Sequence, residues 1–155
     1  MAEGTPVVVV TGGMGFIGSN LVAHLVDGAD VVVCDWPGQD ERWRNIAKHD
    51  IADLVMPEQL GDYLAAHRST IDTVIHMGAI SSTTERDADR IVSTNFMLSR
   101  DLWRWCTDNG RRFVYASSAA TYGGGEAGFV DDESSDALAT LRPLNAYGWS
   151  KHLFD

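Results

Sequence analysis

Val7 to Asn20 reads VVVVTGGMGFIGSN. Four consecutive valines suit a strand buried on both faces, as in a parallel sheet. The run breaks into Gly12, Gly15 and Gly18, with Phe16 and Ile17 opening a helical pattern among them. A GxxGxxG turn between a strand and a helix lets backbone N–H groups approach a pyrophosphate at the helix N-terminus. A Cβ at the tight positions would block the ligand or the helix packing. Glycines also serve plain tight turns, so the triplet gains its weight from a residue further along the chain. Asp35 closes the second strand near the point where a carboxylate meets an adenosine ribose.

Outward from this turn, short β-branched runs alternate with helical stretches. That pattern predicts an α/β fold, a Rossmann-like, doubly wound parallel sheet covered by helices. Strand one is expected at Pro6 to Val10, helix one at Phe16 to Asp27 with Gly28 as its stop, and strand two at Val31 to Asp35 before a Pro37-Gly38 turn. His49 to Asp53 reads as a short third strand and its exit loop, Pro57 to His67 as helix, and Ile71 to His76 as strand. Ala88, Ile91, Asn95, Leu98, Leu102 and Trp105 fall at spacings of three or four and predict one long helix from about Asp87 to Asp108, ended by Gly110. Arg112 to Ala116 is the next strand. Gly123 to Arg142 is glycine-rich and then acidic, with Asp131, Asp132, Glu133 and Asp136, and reads as a solvated excursion before Pro143 leads a last helix. No repeat or linker marks a second domain, so residues 1–155 are expected to form one dinucleotide-binding domain.

Composition narrows the function. The 155 residues are 45% apolar and 22% charged, ordinary for a globular domain with a real core. A net charge of -10 disfavours nucleic acid and anionic membranes, which need a basic footprint. The apolar run at Val7 to Val10 is too short for a signal-peptide core or a span, so a cytoplasmic location is the default expectation. Cys34 and Cys106 lie in no metal-ligating spacing and read as reduced packing residues; no metal is expected.

Three further features bear on chemistry. Asn95 is an amide inside an apolar stripe, so it either pairs with neighbouring backbone or fixes the backbone beside a site. FVYASSAATYGG runs a buried strand into Ser117 and Ser118 at its carboxyl end, where serines form turns and where open parallel sheets bind ligands. Tyr147 and Lys151 are four apart on the last helix and share a face. An ammonium near the phenol favours its ionised form, and a group with a free pKa of about 10 can then exchange a proton near neutrality. A YxxxK pair is common by chance; its order behind the glycine turn and the strand-end serines raises its weight.

Together these residues resemble the extended short-chain dehydrogenase/reductase superfamily over the whole chain. TGGMGFIG is similar to its cofactor loop and YGWSK to its YxxxK dyad. HMGAISSTTE, YASSAATYGG and PLNAYGWSKHLFD resemble, more narrowly, the ADP-glyceromanno-heptose 6-epimerases, which supply heptose for bacterial lipopolysaccharide cores. The resemblance implies that Gly12, Gly15, Phe16, Ile17 and Gly18 hold the pyrophosphate and that Asp35 and Trp36 meet the adenosine end. It places Asp50 and Ile51 near the adenine, Met77, Gly78, Ala79 and Ser81 under the cofactor, and Asn95 beside it. Ser118 would hydrogen-bond the reacting oxygen, Tyr147 would be the acid/base, and Lys151 its activator and a ribose contact. The implied reaction is a redox epimerisation at C6 of an ADP-heptose through a 6-keto intermediate. The implied cofactor is NADP, with NAD kept open because a carboxylate at Asp35 favours a free 2′-hydroxyl; Arg42 or Arg44 would neutralise a 2′-phosphate.

Ala119 and Ala120 stand where nucleotide-sugar 4,6-dehydratases carry an Asp-Glu pair, which disfavours that class. A UDP-hexose 4-epimerase and a non-catalytic dinucleotide-binding domain remain as alternatives. Members of the superfamily continue past YxxxK into a substrate domain, so the chain is expected to be the N-terminal part of a longer homo-oligomeric enzyme, inactive by itself.

Overall fold

The computed structural model describes residues 4–155. Strands β1 (Val7–Thr11), β2 (Asp30–Cys34), β3 (Asp53–Val55), β4 (Ile71–His76) and β5 (Arg112–Tyr115) form one parallel sheet in the order β3-β2-β1-β4-β5. Side chains alternate across a strand, so the valine runs feed both faces. On one face Val8, Val10, Val31 and Val33 pack with Met14, Val22 of helix α1 (Phe16–Leu25) and Ile46. Val9 is the register partner of Val32 and Val74, and all three are buried. The doubly wound α/β expectation is met, and the valine runs are its cause.

Three elements depart from the sequence reading. The third strand begins at Asp53, later than expected, because the chain is still turning at His49, whose N–H donates to Ile46 O. Pairing with β2 starts only where Ala52 N donates to Val31 O at 2.8 Å. The long helix is interrupted. Helix α3 (Ala88–Ile91) widens into a π-turn over Val92–Met97 before α4 (Leu98–Asp108), and Leu98 N–H reaches back five residues to Ser93 O. Wide turns of this kind often mark functional sites. The acidic excursion holds a short helix, α5 (Ser135–Leu138), capped by the Ser134 side chain. Helices α2 (Leu60–Ala66) and α6 (Ala146–His152) lie where the periodicity put them.

The chain divides into two compact units: one runs to Gly78 and takes in Leu102–Tyr115, with the whole sheet, and the other comprises Ala79–Asp101 and Ala116–Asp155. Cys34 and Cys106 are both buried thiols. No helix among the described residues is long and apolar enough to cross a membrane.

Candidate active site

In the sheet-bearing unit, strand order reverses at β1, with β2 on one side and β4 on the other. Open α/β sheets bind ligands at such a switch point, outside the carboxyl ends of the strands. There Met77 N donates to Thr11 O at 3.1 Å, and Gly78 N to Thr11 Oγ1 at 3.1 Å. The same hydroxyl hydrogen-bonds the buried His76 ring at Nδ1, 2.6 Å away.

Gly12 sits at φ +66, and a Cβ on it would lie 2.7 Å from the Gly78 backbone. Gly18 meets Gly12 O so closely that a side chain there would drive α1 off the loop. Gly15 is the N-cap of α1, and no side chain caps that end, so the first N–H groups remain available to an anion. Phe16 and Ile17, 86% and 62% exposed, flank them. This backbone cradle, which any Cβ would fill, fits a dinucleotide pyrophosphate.

Asp35 is buried just past β2. Its Oδ2 accepts from Met14 N at 2.9 Å and its Oδ1 from Trp36 N at 2.8 Å. Asn45, which the sequence did not single out, holds Met14 from the other side by donating to its carbonyl at 2.8 Å. The Trp36 indole donates to Glu58 at 2.8 Å and is half exposed. Arg42 grips Asp40 through Nε and Nη2, both at 2.7 Å, and Arg44 pairs with Glu41 at 2.9 Å. The guanidinium holds the exposed Asp40 carboxyl at about 2. Arg42, Arg44 and Lys48 border a cavity of about 490 Å³ that also reaches Gly15 and Phe16. Asp50 is exposed, and Ile51 packs on the edge of the valine core.

The second unit gathers the remaining candidates around α6. Asn145 caps this helix by accepting from Gly148 N at 2.8 Å. Asn95, wholly buried, accepts from Ile80 N at 2.8 Å and donates to Ile80 O and to Ser150 Oγ, both at 3.0 Å. Both amide hydrogens are thereby used, so Asn95 acts by fixing the backbone between Ala79 and Ser81. Ser150 in turn donates to Tyr147 O at 2.7 Å, which ties the half-buried tyrosine's turn of helix to that backbone.

Lys151 is buried and donates from Nζ to Ala116 O at 2.8 Å. Burial pushes its ammonium down to about 8, and the Asp155 carboxylate pulls the other way. Ser118 accepts from Ala120 N at 3.1 Å, capping the 3₁₀ turn Ala119–Tyr122 and leaving its own hydrogen to donate elsewhere. Ser117 donates to Asp155 Oδ2 at 2.6 Å. A cavity of about 760 Å³ opens beside both serines and is bordered by Tyr122, Asp131, Asp132, Glu133 and Asp155, so the acidic excursion lines it. Ser150 and Asp155 were missed by the sequence reading. Only Asp155 had a legible signal, its spacing: it follows Lys151 by the same step as Lys151 follows Tyr147.

With this geometry the chain resembles proteins of known activity. It is 42% identical over 152 residues to an ADP-L-glycero-D-manno-heptose-6-epimerase of Fusobacterium nucleatum, covering 96% of this chain and 46% of that protein. To the enzyme of the same name from Nitratidesulfovibrio vulgaris it is 45% identical over 152 residues, covering 95% and 46%. The crystal structure of Helicobacter pylori ADP-L-glycero-D-manno-heptose-6-epimerase superposes with a TM-score of 0.80 at 26% identity, covering all of this chain and 51% of that one. The chain thus spans about half the length of these relatives. The model of the NAD dependent epimerase/dehydratase family matches residues 8–155, nearly the whole chain. The chain belongs to the NAD dependent epimerase/dehydratase family.

Proposed function

We propose that the protein carrying this chain is an ADP-heptose 6-epimerase that inverts C6 by oxidation and reduction, with NADP as its cofactor. The observation that carries the reading is identity of 42% and 45% to curated enzymes of that name across almost all of this chain. It brings with it a role in lipopolysaccharide precursor supply, a cytoplasmic site of action and a homo-oligomeric assembly.

Bound nicotinamide would supply the hydride acceptor and donor that turns the C6 alcohol into a ketone and back. The chain's own residues hold the cofactor and move the proton. The glycine cradle and the open N-terminus of α1 bind the pyrophosphate. Tyr147 takes the proton of the C6 hydroxyl as the ketone forms and returns it as the inverted alcohol is made. Lys151, one helical turn on, supplies the positive charge that a phenolate at 147 needs. Ser118 donates its hydrogen to the reacting oxygen, and that bond strengthens as negative charge gathers there. The Nη1 edge of Arg42, which Asp40 leaves uncovered, and the neighbouring Arg44 and Lys48 support a 2′-phosphate beside α1.

The test is direct. Protein from the full reading frame, incubated with ADP-D-glycero-D-manno-heptose, is expected to yield the L-glycero epimer, resolved by NMR of the C6 proton. Residues 1–155 alone are expected to yield none. Turnover of a UDP-hexose at C4 with none of the ADP-heptose would replace this reading. Calorimetry should give tighter binding of NADP than NAD, and Arg42→Ala should erase the difference.

A further inference from the structure

We propose that Asp155, one turn past Lys151 beyond the end of α6, is a positioning residue for the Tyr147–Lys151 site that pins the strand-end serines and supports Lys151. The proposal rests on the epimerase reading and names a further residue of the same site.

The case begins with spacing. Tyr147 and Lys151 share a face of α6, and Asp155 lies just past the end of that helix, where its N–H donates to Lys151 O at 3.1 Å, one further turn along. Two successive turns then grip two successive residues of the segment after β5. Lys151 Nζ donates to Ala116 O at 2.8 Å, and Asp155 Oδ2 accepts from Ser117 Oγ at 2.6 Å. Ser118 is the next residue, so the hydroxyl that would meet the substrate is aimed by a backbone held at both preceding residues. The Asp155 side chain also borders the cavity that opens beside Ser118.

The second half of the proposal is electrostatic. A buried ammonium favours its neutral form unless an opposite charge compensates. For Lys151, burial lowers the proton affinity and the Asp155 carboxylate raises it. The effect is mutual: burial raises the Asp155 carboxyl, while Ser117, His152 and Lys151 lower it. The cavity that Asp155 borders also carries Asp131, Asp132 and Glu133, whereas the elements packed against α6 are poor in charge. The 3₁₀ turn brings only Tyr122, the π-turn brings Asn95 and no charge, and α3 brings Asp89 and Arg90, both exposed. On α6 itself stand Tyr147 and His152. A lysine that titrates at about 8 is charged at neutrality by a narrow margin, and removing the carboxylate that supports it narrows that margin further.

Two variants of the full-length enzyme separate the roles. Asp155→Asn keeps an oxygen for Ser117 and loses the charge. Its alkaline limb of kcat should move to lower pH, with roughly a threefold to tenfold loss at pH 8 and less than about twofold at pH 6.5. Ser117→Ala keeps the charge and loses the bond, so kcat should fall by a similar factor at every pH with the limb unmoved. Asp155→Glu should restore the wild-type limb. A substrate-free readout stands beside these: the dimethylated Lys151 amine, ¹³C-labelled and identified by its loss in Lys151→Arg, should titrate at lower pH in Asp155→Asn. An unshifted titration, or a Ser117→Ala limb displaced as far as that of Asp155→Asn, overturns the proposal. Absence of ADP-heptose turnover in wild type, with the titration still shifted, overturns the epimerase reading and leaves the role of Asp155 standing.

Discussion

The turn after β1 and the grip of α6 on the segment after β5 both adjoin parallel strands in sequence, yet they are built from different materials. The turn is made of backbone. Gly12 and Gly18 are there because no side chain fits, Gly78 lies close against Thr11 and Gly12, and the polar anchors, Asp35 and Asn45, reach Met14 through its own N–H and C=O. The α6 site is made of side chains that bind across long stretches of sequence: Asn95 to Ser150, Lys151 to Ala116, Ser117 to Asp155. A site of the first kind fails by collision, and a site of the second kind fails by leaving buried polar groups unpaired.

The largest effect is therefore expected at the turn. Gly12→Val must hold a β-branched residue at φ +66 and place its Cβ 2.7 Å from the Gly78 backbone. Strain of this kind costs on the order of 3 kcal/mol, and the cradle opens as it is relieved. Calorimetry should show dinucleotide affinity falling by at least about 100-fold. Wild-type affinity in this variant would mean that the two loops are not back to back.

Next comes the α6 side. Asn95→Leu strands the N–H and C=O of Ile80 and the Ser150 hydroxyl, and should cost about 3 kcal/mol in urea unfolding. Ser150→Ala removes one partner of one amide hydrogen and should cost about 1 kcal/mol. If Ser150→Ala proved as damaging as Asn95→Leu, the tie to Tyr147 O would outweigh the clamp on Ile80, reversing the order assigned here.

The same contrast explains what was legible in the sequence. The parallel sheet and the glycine turn stem from rules that act on neighbours: a valine run wants two buried faces, and a strand meeting a helix head-on wants glycine. Asp35 was singled out by its step from the glycine turn, and Tyr147 with Lys151 by their step from each other on one helix. The π-turn was not, because a stripe at spacings of three and four looks the same whether or not one turn is widened at Asn95. Ser150 and Asp155 were hidden for a related reason. Spacing hints at Asp155, but what each residue does shows only in its partner, and those partners, Asn95 and Ser117, lie far away along the chain. The third strand was misplaced because its start depends on where Ala52 finds Val31, a tertiary fact that the local run from His49 does not carry.

The smallest expected effect sets the two sites against each other by pH. Lys151 has its proton affinity lowered from 10.5 to about 8 by burial, so between those values the unfolded chain holds a proton that the folded chain has released. Stability therefore rises with pH in that window, because the unfolded state binds more protons there. The buried thiols act in the opposite sense. Cys34 at the end of β2 is pushed up to about 12, by burial first and then by Asp35 and Glu58, and Cys106 to about 11 by burial. Unfolded, both thiols lose their protons near 9, so above that pH they lower stability. A variant without Lys151 keeps both thiols, so its difference from wild type isolates the lysine, which should add about 1 kcal/mol between pH 8 and pH 9. Urea unfolding of wild type and Lys151→Met, compared at pH 8 and pH 9, should show wild type gaining that amount relative to the variant. Above pH 9 the thiols lower the stability of both proteins, and wild type should keep gaining on the variant until the unfolded lysine titrates at 10.5. Parallel curves from pH 8 to 9 would place the Lys151 ammonium in contact with solvent, and the grip of α6 on Ala116 would then have to be looser than the 2.8 Å bond implies.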